Sequence, residues 1–276
     1  MKDGKITMLV WNINQRAGAS DGKSFYPQTV RECLHKGYEI VIFNEFYKCI
    51  GWEDLFHDTD YEYKVSDNGK GKNEILIAYN KKLFSMVEKK FTWKSDYDRT
   101  FPDYLEVKLK DVENHNIVVV GSRILVNIYD YNNKKSVNDE MKNRAKQGKR
   151  IAERLSNLCE KGYIIVGGGD MNTGRRYNIN EYWTKQIFAD MLSDKINVIM
   201  PDGVSHEAYK GEEYAGCPDL LFFTKNISVD ESIYDWTFVK ECKEIYNAGE
   251  YTKNIPVCYP DHAQIIVSYH LKNKDY

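Results

Sequence analysis

Residues 104–120 read YLEVKLKDVENHNIVVV. Two runs in this stretch, Tyr104 to Leu109 and Ile117 to Val120, are rich in β-branched or aromatic residues, with no helical pattern between them. Tyr104, Glu106 and Lys108 alternate with Leu105, Val107 and Leu109, the period-two pattern of a strand with one face toward water. Glu74 to Tyr79 is a further run of the same kind just upstream. A sheet built only of βαβ units has no place for strand after strand, so this middle region predicts a mixed, mostly antiparallel sandwich.

Outward from that region, helices enter at both ends. Ile6 to Asn12 reads as a first strand. A helix follows, with Ser24 near its cap, Pro27 in its first turn and Gly37 just past its end, and with Val30, Cys33 and Leu34 on its inner face. Glu39 to Phe43 is a second strand that runs straight into Asn44 and Glu45. Beyond the middle region, Met141, Ala145, Ile151, Leu155 and Leu158 recur at helical spacings and predict a helix from about Asn138 to Cys159, with Ser136 and Asp139 as a capping box. Tyr163 to Val166 reads as a buried strand ending at a Gly-Gly-Gly-Asp turn. Trp183, Ile187, Met191 and Leu192 mark another helix, and Pro218 to Phe223, Tyr234 to Val239 and Gln264 to Tyr269 complete the strands. Two groups of strands, each with its own helices, predict two packed sheets covered by helices. No repeat, low-complexity block or Pro/Gly-rich linker interrupts the chain, so one domain over residues 1–276 is expected.

Composition narrows the function. Hydrophobic residues make up 42% and charged residues 29%, enough apolar material for a packed core and against disorder. The net charge of -2 weighs against a protein that holds duplex DNA mainly through its phosphates. The six cysteines are far apart without a CxxC pair, which argues against a zinc or disulfide framework and for reduced thiols. No apolar signal-like segment opens the sequence and no run of eighteen apolar residues occurs, so a cytoplasmic chain without a membrane span is expected.

Polar residues of one kind gather at strand ends. Asn12 ends the first strand and Glu45 follows the second. Asp170 and Asn172 follow Tyr163 to Val166, Asp219 opens Pro218 to Phe223, and Asp261 and His262 open the last strand. A sandwich with strands in both directions brings such ends to one rim. Hard oxygen ligands for Mg²⁺ or Mn²⁺, a base for water and amide donors for phosphate oxygens are what phosphoryl transfer needs. Each piece alone is weak, since Gly169-Asp170 is also an ordinary turn pair.

The segments Trp11-Asn12-Ile13-Asn14, Ile42-Phe43-Asn44-Glu45, Gly169-Asp170-Met171-Asn172, Pro218-Asp219-Leu220 and Pro260-Asp261-His262 resemble, in order and across nearly the whole chain, the motifs of the endonuclease/exonuclease/phosphatase superfamily. Its members include exonuclease III-like and deoxyribonuclease I-like metal-dependent phosphoesterases. The resemblance implies a four-layer α/β/β/α sandwich. It also implies Glu45 as principal metal ligand with Asn12 close by and Asp261 contributing, and Asp170 as the group that orients or deprotonates water. By the same resemblance Asn172 donates to the scissile phosphate, and His262 contacts a phosphate oxygen or moves a proton, its tautomer fixed by Asp219. The cofactor implied is Mg²⁺ or Mn²⁺.

The chain departs from the family pattern at two places. Asn44-Glu45 stands where Gln-Glu is usual, and Gly121-Ser122-Arg123-Ile124 stands where many members carry a phosphate-contacting His. Arg123 reads either as a bidentate phosphate clamp or as a salt-bridge residue. Arg175 and Arg176, close after the GDMN turn, are candidate substrate contacts, and Arg144 and Gln147 share the side of their helix that would reach the site. As a run, Lys142, Arg144, Lys146, Lys149 and Arg150 read as a solvated helix face, and Trp11 as core.

The leading function is a phosphodiesterase or nuclease acting, as a monomer, on a phosphate ester with nucleic acid among the candidates. The alternative is a phosphomonoesterase or lipid-headgroup hydrolase on the same scaffold. A non-catalytic module should have lost one of Glu45, Asp170, Asp219 or His262, and all four are present.

Overall fold

The computed structural model describes residues 4–13, 27–48, 51–67, 74–93, 100–126, 134–172, 183–206, 216–238 and 260–272. In chain order the elements are β1 (Ile6–Asn12), α1 (Pro27–His35), β2 (Ile40–Phe46), β3 (Tyr61–Val65), β4 (Glu74–Asn80), β5 (Phe84–Met86), β6 (Phe91–Thr92), β7 (Asp103–Asp111) and β8 (Asn116–Arg123). There follow α2 (Lys134–Glu160), β9 (Ile164–Asp170), α3 (Trp183–Leu192), β10 (Ile196–Ile199), β11 (Asp219–Thr224), β12 (Ile227–Asp235) and β13 (Gln264–Leu271).

The strands form two sheets. One runs β12-β13-β1-β2-β4-β3, the other β10-β11-β9-β8-β7-β5 with β6 paired on β7. Among the described residues the parallel pairs are β1/β2 and β8/β9, one near the middle of each sheet. Each is bridged in sequence by a helix, α1 or α2, because parallel neighbours require a crossover. The remaining pairs are antiparallel, as the strand-after-strand region predicts.

Alternation along the strands builds the layers. Met8, Val10, Ile40, Ile42, Ile75 and Ile77 of the first sheet meet Leu105, Val107, Val119, Val166, Leu221 and Phe223 of the second in a central core. The intervening residues point outward. Leu9, Trp11, Val41 and Phe43 pack with Val30, Cys33 and Leu34 of α1. Val118, Val120, Ile165 and Phe222 pack with Ile151, Leu155 and Leu158 of α2 and Phe188 of α3. Four layers result, and each fully buried aliphatic or aromatic side chain contributes roughly 1.5–3 kcal/mol of transfer free energy.

Several sequence expectations change. The outer face of β7 is not wet: Tyr104 and Glu106 are buried. Glu106 accepts from Arg154 Nε and Nη2 of α2 at 2.9 and 2.7 Å, so a charged residue in the alternating pattern is paired under a helix. The three glycines do not make a turn, since β9 runs through them to Asp170. A Cβ on Gly167 would lie 1.9 Å from the Val120 carbonyl oxygen, and one on Gly169 1.9 Å from that of Ser122, so these positions are glycine for close approach to β8. The middle helix already runs from Lys134, which places Ser136 in its first turn and not at its cap. The strand expected at Tyr234 to Val239 is β12, shifted toward the N-terminus, and Val239 lies outside the described residues. No helix among the described residues is long and apolar enough to cross a membrane. Of the cysteines, Cys33 is buried and Cys159 and Cys217 are half-buried and free. Cys49, Cys242 and Cys258 lie outside the described residues.

Candidate active site

Parallel pairing places Asn12 beside Asn44 at the end of β1/β2, and antiparallel pairing places Asp219 beside Asp170 on β11/β9. These ends lie at one rim of the sandwich, and polar side chains join the two sheets there. Asn12 Nδ2 donates to Asp170 Oδ2 at 3.0 Å and lies 3.4 Å from His262 Nε2. His262 Nδ1 lies 2.9 Å from Asp219 Oδ2. Asn44 Nδ2 donates to the Ser122 carbonyl at 3.0 Å, and Arg123 Nη1 to Glu45 Oε1 at 2.8 Å. Asn12, Asp170, Asn172, Asp219 and His262 are all buried, while Asp261 is half-buried.

Local geometry explains how each group is held. β2 continues three residues past the predicted strand, and its pairing with β4 shifts between Phe43 and Phe46. Within that irregularity Glu45 has φ 54, a left-handed conformation that turns its side chain out of the ladder. Asn172, with φ 47, donates its backbone N–H to Asp170 Oδ1 at 2.8 Å. Its Nδ2 donates to the Ile124 carbonyl at 2.6 Å and to Asp170 Oδ2 at 3.2 Å. Both hydrogens of that amide are thus directed at protein groups, and Asn172 fixes Asp170. Trp11 is core, as expected, and its Nε1 also donates to the His262 carbonyl at 2.9 Å.

Arg144 and Gln147 reach the site's supporting backbone. Arg144 Nη1 donates to the Asn172 carbonyl at 3.0 Å. Gln147 accepts from Leu125 N at 2.8 Å and donates to Leu125 O at 3.2 Å. Of the five basic residues read as a solvated face, Lys142, Lys146 and Lys149 are exposed, whereas Arg144 is buried and Arg150 is half-buried, its guanidinium lying over the Phe101 ring. Arg175 and Arg176 lie outside the described residues.

Three groups at the rim escape a reading of the sequence. Asp103, at the start of β7, accepts from Arg123 Nε and Nη2 at 3.1 and 2.9 Å. Ser205 Oγ donates at 2.6 Å to Asp219 Oδ2, the same oxygen that meets His262. His206 packs its ring edge-on against that of His262, centroids 4.5 Å apart. The strand before Ser205 and His206, β10, ends at Ile199, so neither residue sits at a strand end. Their place is set by pairing of His206 with Gly216 and with His262, contacts far apart in sequence.

The electrostatics are those of an acidic rim. Burial raises the Asp170 pKa, an effect countered by His262 and reinforced by Asp219. Burial opposes the charge on Arg123, but Glu45, Asp103 and Asp170 outweigh it and push its pKa further up. The donors suit a hard divalent cation. Glu45, Asp170, Asp219 and Asp261 offer carboxylates and Asn12 an amide, and the two close sets of ligand side chains among the described residues, Asp170–Asp219–His262 and His206–Asp261–His262, contain no cysteine.

No family model matches the sequence, and none of the curated proteins matches it significantly. Solved structures do resemble it throughout. An endonuclease/exonuclease/phosphatase family protein from Bacteroides thetaiotaomicron is 16% identical with a TM-score of 0.64, over 98% of this chain and 99% of that one. TDP2 from D. rerio, complexed with a single-strand DNA product, is 12% identical with a TM-score of 0.65, over 97% and 100%. A mannosyl-6-phosphatase of Bacteroides thetaiotaomicron VPI-5482 is 16% identical with a TM-score of 0.62, over 96% and 99%. Likeness at this level of identity establishes a shared fold.

Proposed function

We propose that this chain, whose fold is that of the endonuclease/exonuclease/phosphatase proteins, is a divalent-metal-dependent phosphoesterase that cleaves a phosphodiester by in-line attack of water. The observation that carries the reading is the convergence at one rim of Asn12 on Asp170, His262 on Asp219 and Arg123 on Glu45, each pair spanning the two sheets.

Glu45 and Asn12, with Asp261 contributing, hold Mg²⁺ or Mn²⁺. Such an ion, when bound, supplies Lewis-acid charge to a phosphate oxygen. Asp170, fixed by Asn12 and by the backbone and amide of Asn172, orients the attacking water and takes its proton. His262, with Nδ1 held by Asp219, turns Nε2 toward Asn12 and meets a phosphate oxygen there. Arg123 supplies positive charge at the same rim, and Arg175 and Arg176 contact substrate. Because these groups are set in place by strands and cross-sheet hydrogen bonds, little reorganisation accompanies the reaction. The protein acts as a monomer, with nucleic acid among the candidate substrates.

Metal-stripped protein tests the reading against bis-p-nitrophenyl phosphate, p-nitrophenyl phosphate, single- and double-stranded DNA, RNA, inositol phosphates and sphingomyelin. Diester hydrolysis should vanish in EDTA and return with Mg²⁺ or Mn²⁺. Asp170→Ala and His262→Ala should each lower turnover by about 10²- to 10⁴-fold. Full activity after exhaustive chelation overturns the metal role. Cleavage confined to monoesters makes the chain a phosphomonoesterase.

A further inference from the structure

Beside the oxygen donors of the rim lies a second kind of donor. His206 Nε2 is 3.6 Å from Asp261 Oδ2, and His262 Nε2 is 3.9 Å from Asp261 Oδ1, so the carboxylate presents one oxygen to each imidazole. Both distances are too long for a direct hydrogen bond. They are close to the spacing of about 3.4 Å between ligand atoms that sit about 2.0–2.1 Å from a tetrahedral ion. With one ligand atom taken from each residue, the three atoms lie within 4.8 Å of one another.

The two histidines are held as ligands need to be held. His206 and His262 pair through their backbones, and Ala263 N donates to Ser205 O at 2.7 Å, tying the two segments together. His206 is further fixed by its backbone N–H to Gly216 O at 3.0 Å. Both rings are buried, whereas Asp261 is one-fifth exposed and gives an ion its way in. The other ring nitrogen of His262 meets Asp219 Oδ2, the carboxylate–histidine arrangement that orients a metal-binding imidazole and raises its basicity.

We propose that His206, Asp261 and His262 form a binding site for a zinc-like divalent transition-metal ion. Imidazole nitrogens favour such an ion over Mg²⁺, and two imidazoles with one carboxylate leave a coordination position for water or a phosphate oxygen. The site rests on the hydrolase reading only in sharing Asp261 and His262 with it. A transition ion on His262 Nε2 replaces the proton through which that nitrogen would otherwise donate to a phosphate oxygen, so the ion and the Mg²⁺-supported reaction exclude each other at this histidine.

Cobalt(II) is the probe, titrated into the intact, metal-stripped protein and followed by visible absorption. A saturable ligand-field band is expected, displaced by Zn²⁺ and not by Mg²⁺. His206→Asn and Asp261→Asn should each weaken cobalt binding by more than about tenfold, and Glu45→Gln should leave it in place. X-ray absorption on wild-type protein loaded with cobalt supplies a readout independent of any variant's folding, with two imidazole ligands expected. Fewer than two imidazoles, no band, or a His206→Asn variant that folds and binds cobalt as wild type overturns the site. None of these measurements uses a phosphate ester, so a failure of the hydrolase reading is separable from a failure of this one.

Discussion

Arg123 of β8 and Glu45 of β2 are joined across the two sheets, Nη1 to Oε1 at 2.8 Å, while Nε and Nη2 of the same guanidinium hold Asp103 Oδ2. The side chain of Arg123 is 9% exposed and that of Asp103 3%, so the cluster is a buried ionic fastener at the base of the rim. Of the two sequence readings of Arg123, phosphate clamp and salt-bridge residue, the second describes this arrangement. The guanidinium's remaining hydrogens are what a phosphate would meet.

Removing the arginine leaves two carboxylates without their shared cation. Arg123→Met should therefore destabilise the fold by about 3–5 kcal/mol, the scale of breaking a buried pair from one side. Arg123→Lys should recover part of this, since Lys keeps the charge but loses the planar fork. The double variant Arg123→Met/Asp103→Asn should recover more than additivity allows, because it removes the stranded charge. Urea unfolding of wild type, the Asp103→Asn and Arg123→Met single variants and the double variant makes the comparison. Additive losses would show that the Asp103–Arg123 contact carries no coupling.

Glycine at β9 is a second point of tension. In Gly169→Ala the new Cβ would lie 1.9 Å from Ser122 O and 2.6 Å from Asn44 Nδ2, pushing apart the contact that ties Asn44 to Ser122. A loss of roughly 1–3 kcal/mol or more is expected from overpacking, together with lower activity, since Arg123 and Asp170 flank this point. Gly162, after α2, has φ +78 and nothing within 4 Å of the place an added methyl would take, so Gly162→Ala should show only the left-handed backbone strain of about 1 kcal/mol. Equal thermal shifts for the two variants would remove the close-packing explanation.

What could be read from the sequence divides along a physical line. Asn12, Glu45, Asp170, Asp219 and His262 were legible because each lies at or near the end of a short apolar run, and strand ends are local patterns. The helix and sheet layers were legible for the same reason, from period-two and helical spacing. The fate of Glu106 was not, because the partner that lets it be buried, Arg154, lies 48 residues away. Asp103, Ser205 and His206 were silent in the same way, since their meaning comes from Arg123, Asp219 and His262, which the fold alone brings near. The glycines misled because Gly-Gly-Gly signals a turn locally, whereas close approach to Val120 and Ser122 is a tertiary demand.

His262 makes stability depend on pH in the metal-free protein. Burial opposes its charge, but Asp219, Asp170 and Asp261 outweigh burial and raise its pKa from 6.5 to about 10. A raised folded-state value means that folding takes up a proton above pH 6.5. The stabilisation is complete below that pH and is lost as pH rises through about 10. In EDTA, the unfolding free energy of wild type relative to His262→Gln should therefore fall steadily across that interval. Other titrating groups largely cancel in the difference. A flat difference would mean that His262 stays neutral in the folded protein.

Ser205 offers the sharpest test of how His262 is held. Its hydroxyl donates to Asp219 Oδ2 at 2.6 Å, and that oxygen lies 2.9 Å from His262 Nδ1. Ser205 touches no reacting atom, so it acts by positioning: it limits where the Asp219 carboxylate can rotate and hence the direction of the imidazole. A hydrogen bond to a charged acceptor contributes about 1.5–3 kcal/mol. If that orientation is realised in the transition state, Ser205→Ala should lower kcat by about ten- to a hundredfold with little change in KM. Ser205→Thr keeps the hydroxyl and should restore most of the rate. A purely structural role predicts a different pattern, with thermal stability falling in Ser205→Ala while kcat measured well below the melting point is unchanged. Loss of rate in both Ala and Thr variants would place the effect in backbone packing near Ala263 and remove the hydroxyl from the account.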